Sequence, residues 1–144
     1  MTQYGPILAL DLGDRWIGMA VSDGLGMFSR PLKTVQRDEL HATLEQLILE
    51  YSLFIIVVGY PKTLRNTHSQ QTEKVLAFFD TLKNNFPLLQ WKLQDERLSS
   101  KYAAQIKGSK TKDEKINSHS IAAAIILQDY LESQRLLRES VQNA

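Results

Sequence analysis

The chain has 144 residues and 43% hydrophobic content, which suits one domain with a real core. Charged residues make up 23% and the formal net charge is +1, so bulk charge does not argue for nucleic acid and only local clustering could. Cysteine is absent, which excludes disulfides, thiolate zinc sites and a cysteine nucleophile.

Ile7-Leu8-Ala9-Leu10 is a short apolar run ending in Asp11-Leu12-Gly13-Asp14-Arg15, a buried strand followed by a tight turn. The acid inside this stretch and the missing basic leader argue for a strand rather than a signal peptide. No apolar run approaches the roughly 20 residues of a membrane span. A soluble, cytoplasmic protein is therefore expected. Trp16 to Val21 forms a second strand, making a hairpin with the first. Arg30 to Val35 is a third, antiparallel strand, which Pro31 places at an edge or a strand start.

A helix follows, with Asp38 as N-cap and Leu40, Leu44, Leu47, Ile48 and Tyr51 on one face. Phe54 to Gly59 is continuously apolar and β-branched, the pattern of a central strand covered on both faces. Tyr60 to Ser69 is a polar loop. A helix over about Gln70 to Asn85 turns Val75, Phe78, Phe79 and Leu82 inward. Leu89 to Gln94 alternates as a further strand and ends in Asp95-Glu96-Arg97. Ser99 or Ser100 caps a short helix stopping near Gly108. Gly108 to Asn117 is polar and lysine-rich, a loop by composition. Ser118 to about Leu137 is a long helix, apolar nearly all round in its first half, and a frayed tail is expected over about 138–144.

The order β-β-β-α-β-α-β-α-α predicts one α/β domain over residues 1–144: an antiparallel meander, then parallel strands, with helices on both faces of a mixed sheet. Ribonuclease H-like domains and the subdomains of actin-like ATPases share this pattern.

Asp11 is the sharpest chemical feature. A carboxylate at the end of a buried strand is expensive unless it meets a cation or hydrogen bonds, and strand ends are where open α/β sheets hold ligands. A turn residue satisfying backbone amides is the plainer alternative. Asp95 and Glu96 end another strand, and adjacent residues face opposite ways, so at most one should join Asp11. Alternation alone leaves open which of the two it is; a solvated strand end paired with Arg97 is the alternative. Two carboxylates from neighbouring strand ends make a hard-oxygen site for Mg²⁺ or Mn²⁺, which can serve phosphodiester hydrolysis. His119, near the start of the last helix, is either an ordinary first-turn residue or, beside a metal, an imidazole ligand or a group acting on water or leaving oxygen. Arg97, Lys101, Lys107, Lys110, Lys112 and Lys115 crowd one segment, diluted by Asp113 and Glu114. Over a carboxylate site they would grip phosphates. Trp16 and Trp91 read as packing residues. Arg65 and Asn66 could contact a substrate.

Five segments together resemble the YqgF/RuvX family of Holliday junction resolvases and pre-16S rRNA nucleases. They are Asp11 to Asp23, Pro31 to Val35, Ile56 to Pro61, Asp95 to Ser100 and Ala122 to Leu131, spread over about Leu8 to Leu131. The resemblance implies a ribonuclease H-like fold, a cytoplasmic location and divalent-metal nuclease chemistry. The implied substrate is structured RNA, a ribosomal precursor, or branched DNA, for a monomer or homodimer. The proposed acidic site carries over to Asp11 and Glu96, with Asp95 adjacent. The family's third acid is expected three residues before the Ala122-Ala123 pair, where this chain has His119. Asn66 and Ser69 also stand where the family usually has glycines. Three readings follow: a nuclease on precursor rRNA or a DNA junction, a catalytically weak nucleic-acid-binding protein because of His119, and an actin-like nucleotide-binding fragment, for which the length leaves no second domain.

Overall fold

The computed structural model describes residues 5–60, 70–96 and 111–143. Side chains alternate across each strand. In β1 (Ile7–Leu12), Leu8, Leu10 and Leu12 enter one apolar cluster, while Ile7 and Ala9 join another on the opposite face. β2 (Trp16–Ser22) returns antiparallel with Leu8 opposite Val21, and β3 (Ser29–Gln36) pairs antiparallel with β2. β4 (Ile55–Tyr60) runs parallel to β1, and β5 (Gln90–Asp95) parallel to β4. The sheet order is β3-β2-β1-β4-β5. The expected meander followed by parallel strands is therefore present. β3 lies at an edge, one of the two placements Pro31 allowed.

Helices cover both faces. α1 (Leu40–Tyr51) and α2 (Gln70–Asn85) supply Leu40, Leu44, Leu47, Val75, Phe79 and Leu82 to the cluster around Leu8 and Leu10. α3 (Lys112–Gln142) lays Ala123, Ile126, Leu127, Tyr130 and Leu131 on Ala9, Ala20 and Val57. This second face is built from small residues, so α3 sits close. A Cβ on Gly18 would collide with the backbone of His119, and one on Gly59 would collide with the side chain of Ile126.

Three local expectations are corrected. Asp38 does not cap α1. It lies inside a 3-10 turn, Arg37–Glu39, and α1 begins at Leu40 without a side-chain cap. The Arg37 amide donates to the Arg15 carbonyl at 2.9 Å, which holds the chain in a turn there. The last helix begins at Lys112, so the second half of the lysine-rich loop is helical. Thr111 and Glu114 form a capping box that nucleates this start. The helix also continues to Gln142 rather than fraying after Arg138. Strong helix formers and an Arg135–Glu139 spacing of one turn favour it, although its side chains there are exposed. The short helix expected after Ser99 and the loop over residues 61–69 lie outside the described residues.

Candidate active site at the ends of the central strands

Alternation in β1 places Asp11 on the α3 face, and its residue is only 6% exposed. The turn beyond it is tight: the Gly13 amide donates to the Trp16 carbonyl at 3.0 Å. α3 brings His119 onto this carboxylate, with Nδ1 lying 3.6 Å from Asp11 Oδ2. That nitrogen is buried and makes no hydrogen bond, and 3.6 Å exceeds hydrogen-bond range. Gly18 makes the approach possible, because the helix backbone at His119 occupies the space a side chain would need. His119 stands two turns into α3, not in its first turn, because the helix starts earlier than its composition suggested.

The β4–β5 register sends Asp95 and Glu96 to opposite faces of the sheet. Val58 faces Leu93 and Tyr60 faces Asp95, and Val58 and Tyr60 belong to the face covered by α1 and α2. Asp95 follows that side, so Glu96 turns to the α3 face shared with Asp11. The Glu96 amide donates to the Tyr60 carbonyl at 3.0 Å, extending the ladder one residue, and Glu96 is 1% exposed. The two acids do not come from neighbouring strands, contrary to expectation, because β4 separates β1 from β5. With strands about 4.8 Å apart and a rise of about 3.3 Å per residue, their backbones stand roughly 12 Å apart.

Glu96 meets an acid that the sequence reading missed. It lies beside Asp129 of α3, whose carboxyl burial holds above its ordinary range, with Glu132 adding to the rise and Glu96 opposing it. Asp95, Glu96, Asp129 and Glu132 line an open cavity of about 500 Å³. The signal for Asp129 was its spacing one turn after Ile126, which packs over Gly59.

Among the described residues, no three His, Asp or Glu side chains converge as a metal-holding group. Asp11 and His119 do fit as a pair. Donors each about 2.1 Å from one cation lie about 3.0 Å apart at a right angle and about 3.4 Å apart at the tetrahedral angle. A buried nitrogen without a hydrogen bond is the orphan that such an ion would satisfy. Imidazole beside carboxylate suits Mn²⁺ better than Mg²⁺.

Of the basic cluster, Lys112 and Lys115 sit exposed on the first turns of α3. Arg97, Lys101, Lys107 and Lys110 lie outside the described residues, as do Arg65 and Asn66. Trp91 packs edge-on to Phe79 and its indole N–H donates to the Phe86 carbonyl, so it is a packing residue as expected.

The RuvX family model, described as Holliday junction resolvase, matches residues 5–133. A relative from Desulforamulus reducens is 41% identical over 136 residues, covering 88% of this chain and 96% of its own length. One from Clostridium tetani is 42% identical over 136 residues with the same coverage. Both carry the name "Putative pre-16S rRNA nuclease". Among solved structures, T. thermophilus RuvC in complex with Holliday junction substrate superposes with a TM-score of 0.53 at 11% identity, covering 92% of this chain and 96% of that one. That likeness is one of fold, and the fold is ribonuclease H-like. A match across most of the chain, together with relatives at this level of identity, shows that the chain belongs to the RuvX family.

Proposed function

We propose that this chain is a divalent-metal-dependent endonuclease that hydrolyses phosphodiester bonds in structured nucleic acid, and that its substrate is the 5′ region of a pre-16S rRNA. The observation that carries the reading is the Asp11–His119 pair at a central strand end, a buried carboxylate facing a buried nitrogen that makes no hydrogen bond. The substrate follows the names of the relatives.

Asp11 and His119 would hold the cation, and Glu96 would complete the acidic face. A bound divalent ion supplies Lewis-acid activation of water and offsets charge on the phosphate. The protein's own part is placement. Asp11 is anchored on a central strand, so its carboxylate has little freedom to move. α3, seated on Gly18 and Gly59, fixes the imidazole-bearing backbone beside Asp11. Asp129 flanks the Glu96 carboxyl on the same face.

The test is cleavage of precursor rRNA and of a four-way DNA junction in Mg²⁺ and in Mn²⁺, with wild type and Asp11→Asn. The expected result is metal-dependent cutting of the RNA that Asp11→Asn abolishes. Cutting confined to the junction would move the substrate to DNA. Binding without cleavage by wild type in either metal would overturn the nuclease reading.

A further inference from the structure

The turn that follows Asp11 carries a second feature, on the side of the rim covered by α2. Arg37 is clamped there by three contacts. Its amide donates to the Arg15 carbonyl at 2.9 Å, its Nη1 donates to the Gly13 carbonyl at 3.3 Å, and its Cζ lies 3.7 Å from the centre of the Phe78 ring. A guanidinium laid on a ring and tied at one nitrogen keeps further N–H donors around its planar edge. It borders an open cavity of about 400 Å³ lined by Asp14, Arg37, Lys74, Ala77, Phe78 and Thr81. Arg15, exposed on the same turn, lies 5.4 Å over the Trp16 ring. Two cations and one acid therefore line the cavity, with a third cation on the turn that supplies that acid.

Clamping matters because it removes much of the ordering cost that an exposed arginine pays on binding. The anchor is also the loop of the site itself, since Gly13 lies two residues beyond Asp11. We infer that this cavity is a phosphate-binding subsite, in which Arg37 and Lys74 hold the backbone of the nucleic-acid strand flanking the cleavage point. The ligand class is a polyanionic phosphodiester, RNA or DNA, gripped without reading bases. The inference rests on the nuclease reading for the identity of its ligand. It adds a phosphate grip at the β1–β2 turn and α2 to the one expected of the lysine-rich segment.

The experiment is anisotropy titration of a labelled stem-loop RNA and a labelled four-way DNA junction, with EDTA present, over about 50 to 200 mM salt. Lys74→Gln is expected to weaken binding several-fold and to flatten the plot of log affinity against log salt by about 0.7 to 0.9. Arg37→Gln with Lys74→Gln should weaken it roughly 10- to 100-fold and lower the slope by about twice that amount. Arg37→Gln also removes the bond to Gly13, so Thr81→Lys supplies the independent arm. It adds a cation to the cavity and should tighten binding and steepen the slope by about 0.7 to 0.9. Lys74→Gln and Thr81→Lys both matching wild type in affinity and slope, with wild type binding and cutting, would overturn the subsite and leave the nuclease reading standing. Shifts in both variants without cleavage in Mg²⁺ or Mn²⁺ would support the subsite and sink the nuclease reading. No binding by wild type in EDTA would overturn the subsite, and the added absence of cleavage in Mg²⁺ and Mn²⁺ would overturn both.

Discussion

His119 Nδ1 lies 3.6 Å from Asp11 Oδ2, across the seam between the last helix and a central strand. The distance is too long for a hydrogen bond and close to the separation of two ligands on one cation. Neutralising Asp11 should therefore abolish metal-dependent cleavage, by at least about 100-fold if the charge anchors the ion. Asp11→Asn should keep a native circular-dichroism spectrum and a cooperative melt. Cleavage within a few-fold of wild type would contradict the assignment.

The imidazole should also set metal preference. Carboxylate favours Mg²⁺ relative to imidazole, and imidazole favours softer divalent ions. His119→Asp is expected to improve activity in Mg²⁺ relative to Mn²⁺, and His119→Ala to weaken Mn²⁺ binding. Calorimetric titration of both ions into wild type and both variants, without substrate, measures this directly. An unchanged ratio of affinities in His119→Asp would show that His119 does not touch the ion.

Gly18 is a packing requirement of the same seam. A Cβ there meets the His119 backbone, which cannot rotate away as a side-chain tip can. Gly18→Ala should cost about 1 to 3 kcal/mol, the usual range for overpacking, and lower the melting temperature by several degrees. Gly24→Ala is the control, since a Cβ at Gly24 meets nothing.

Asp129 gives a pH signature. Burial, with Glu132 adding, holds its folded-state carboxyl above the ordinary 3.8. The folded state thus binds the proton more tightly than the unfolded chain. Ionisation therefore opposes folding near neutral pH, and the penalty fades as pH falls through the raised value towards 3.8. Asp129→Asn keeps a partner for Glu96 and removes that penalty. Its melting temperature should exceed that of wild type near neutral pH, with the gain shrinking as pH falls through the raised value and gone below about 3.8. A lower melting temperature near neutral pH would show that the charge is stabilising.

Thr111→Ala tests the early start of α3. Losing the capping box should cost about 1 kcal/mol. Faster amide exchange should appear over residues 112–117 first, while the Ala122 to Leu131 segment stays protected.

Much of the architecture was legible in local pattern. Alternation in Ile7–Leu12 is enough to send Leu8, Leu10 and Leu12 one way and Asp11 the other. Pro31 limited β3 to an edge or a strand start, because it lacks an amide for a further ladder, and the sheet order makes it an edge. Local chemistry misled at Asp38 and Lys112. There a backbone bond from Arg37 to Arg15 and a capping box at Thr111 set the helix starts, and neither depends on hydrophobic period.

Asp11 could be singled out in the bare chain because a carboxylate closing a buried strand is costly anywhere it occurs. The identity of its neighbour could not. Strand order inserts β4 between Asp11 and Glu96, strand register turns Glu96 to the face of Asp11, and two glycines let α3 descend far enough to set His119 beside Asp11 and Asp129 beside Glu96. Such pairings join residues far apart in the chain. They depend on how closely a helix and a sheet can pack, and no local period records that distance.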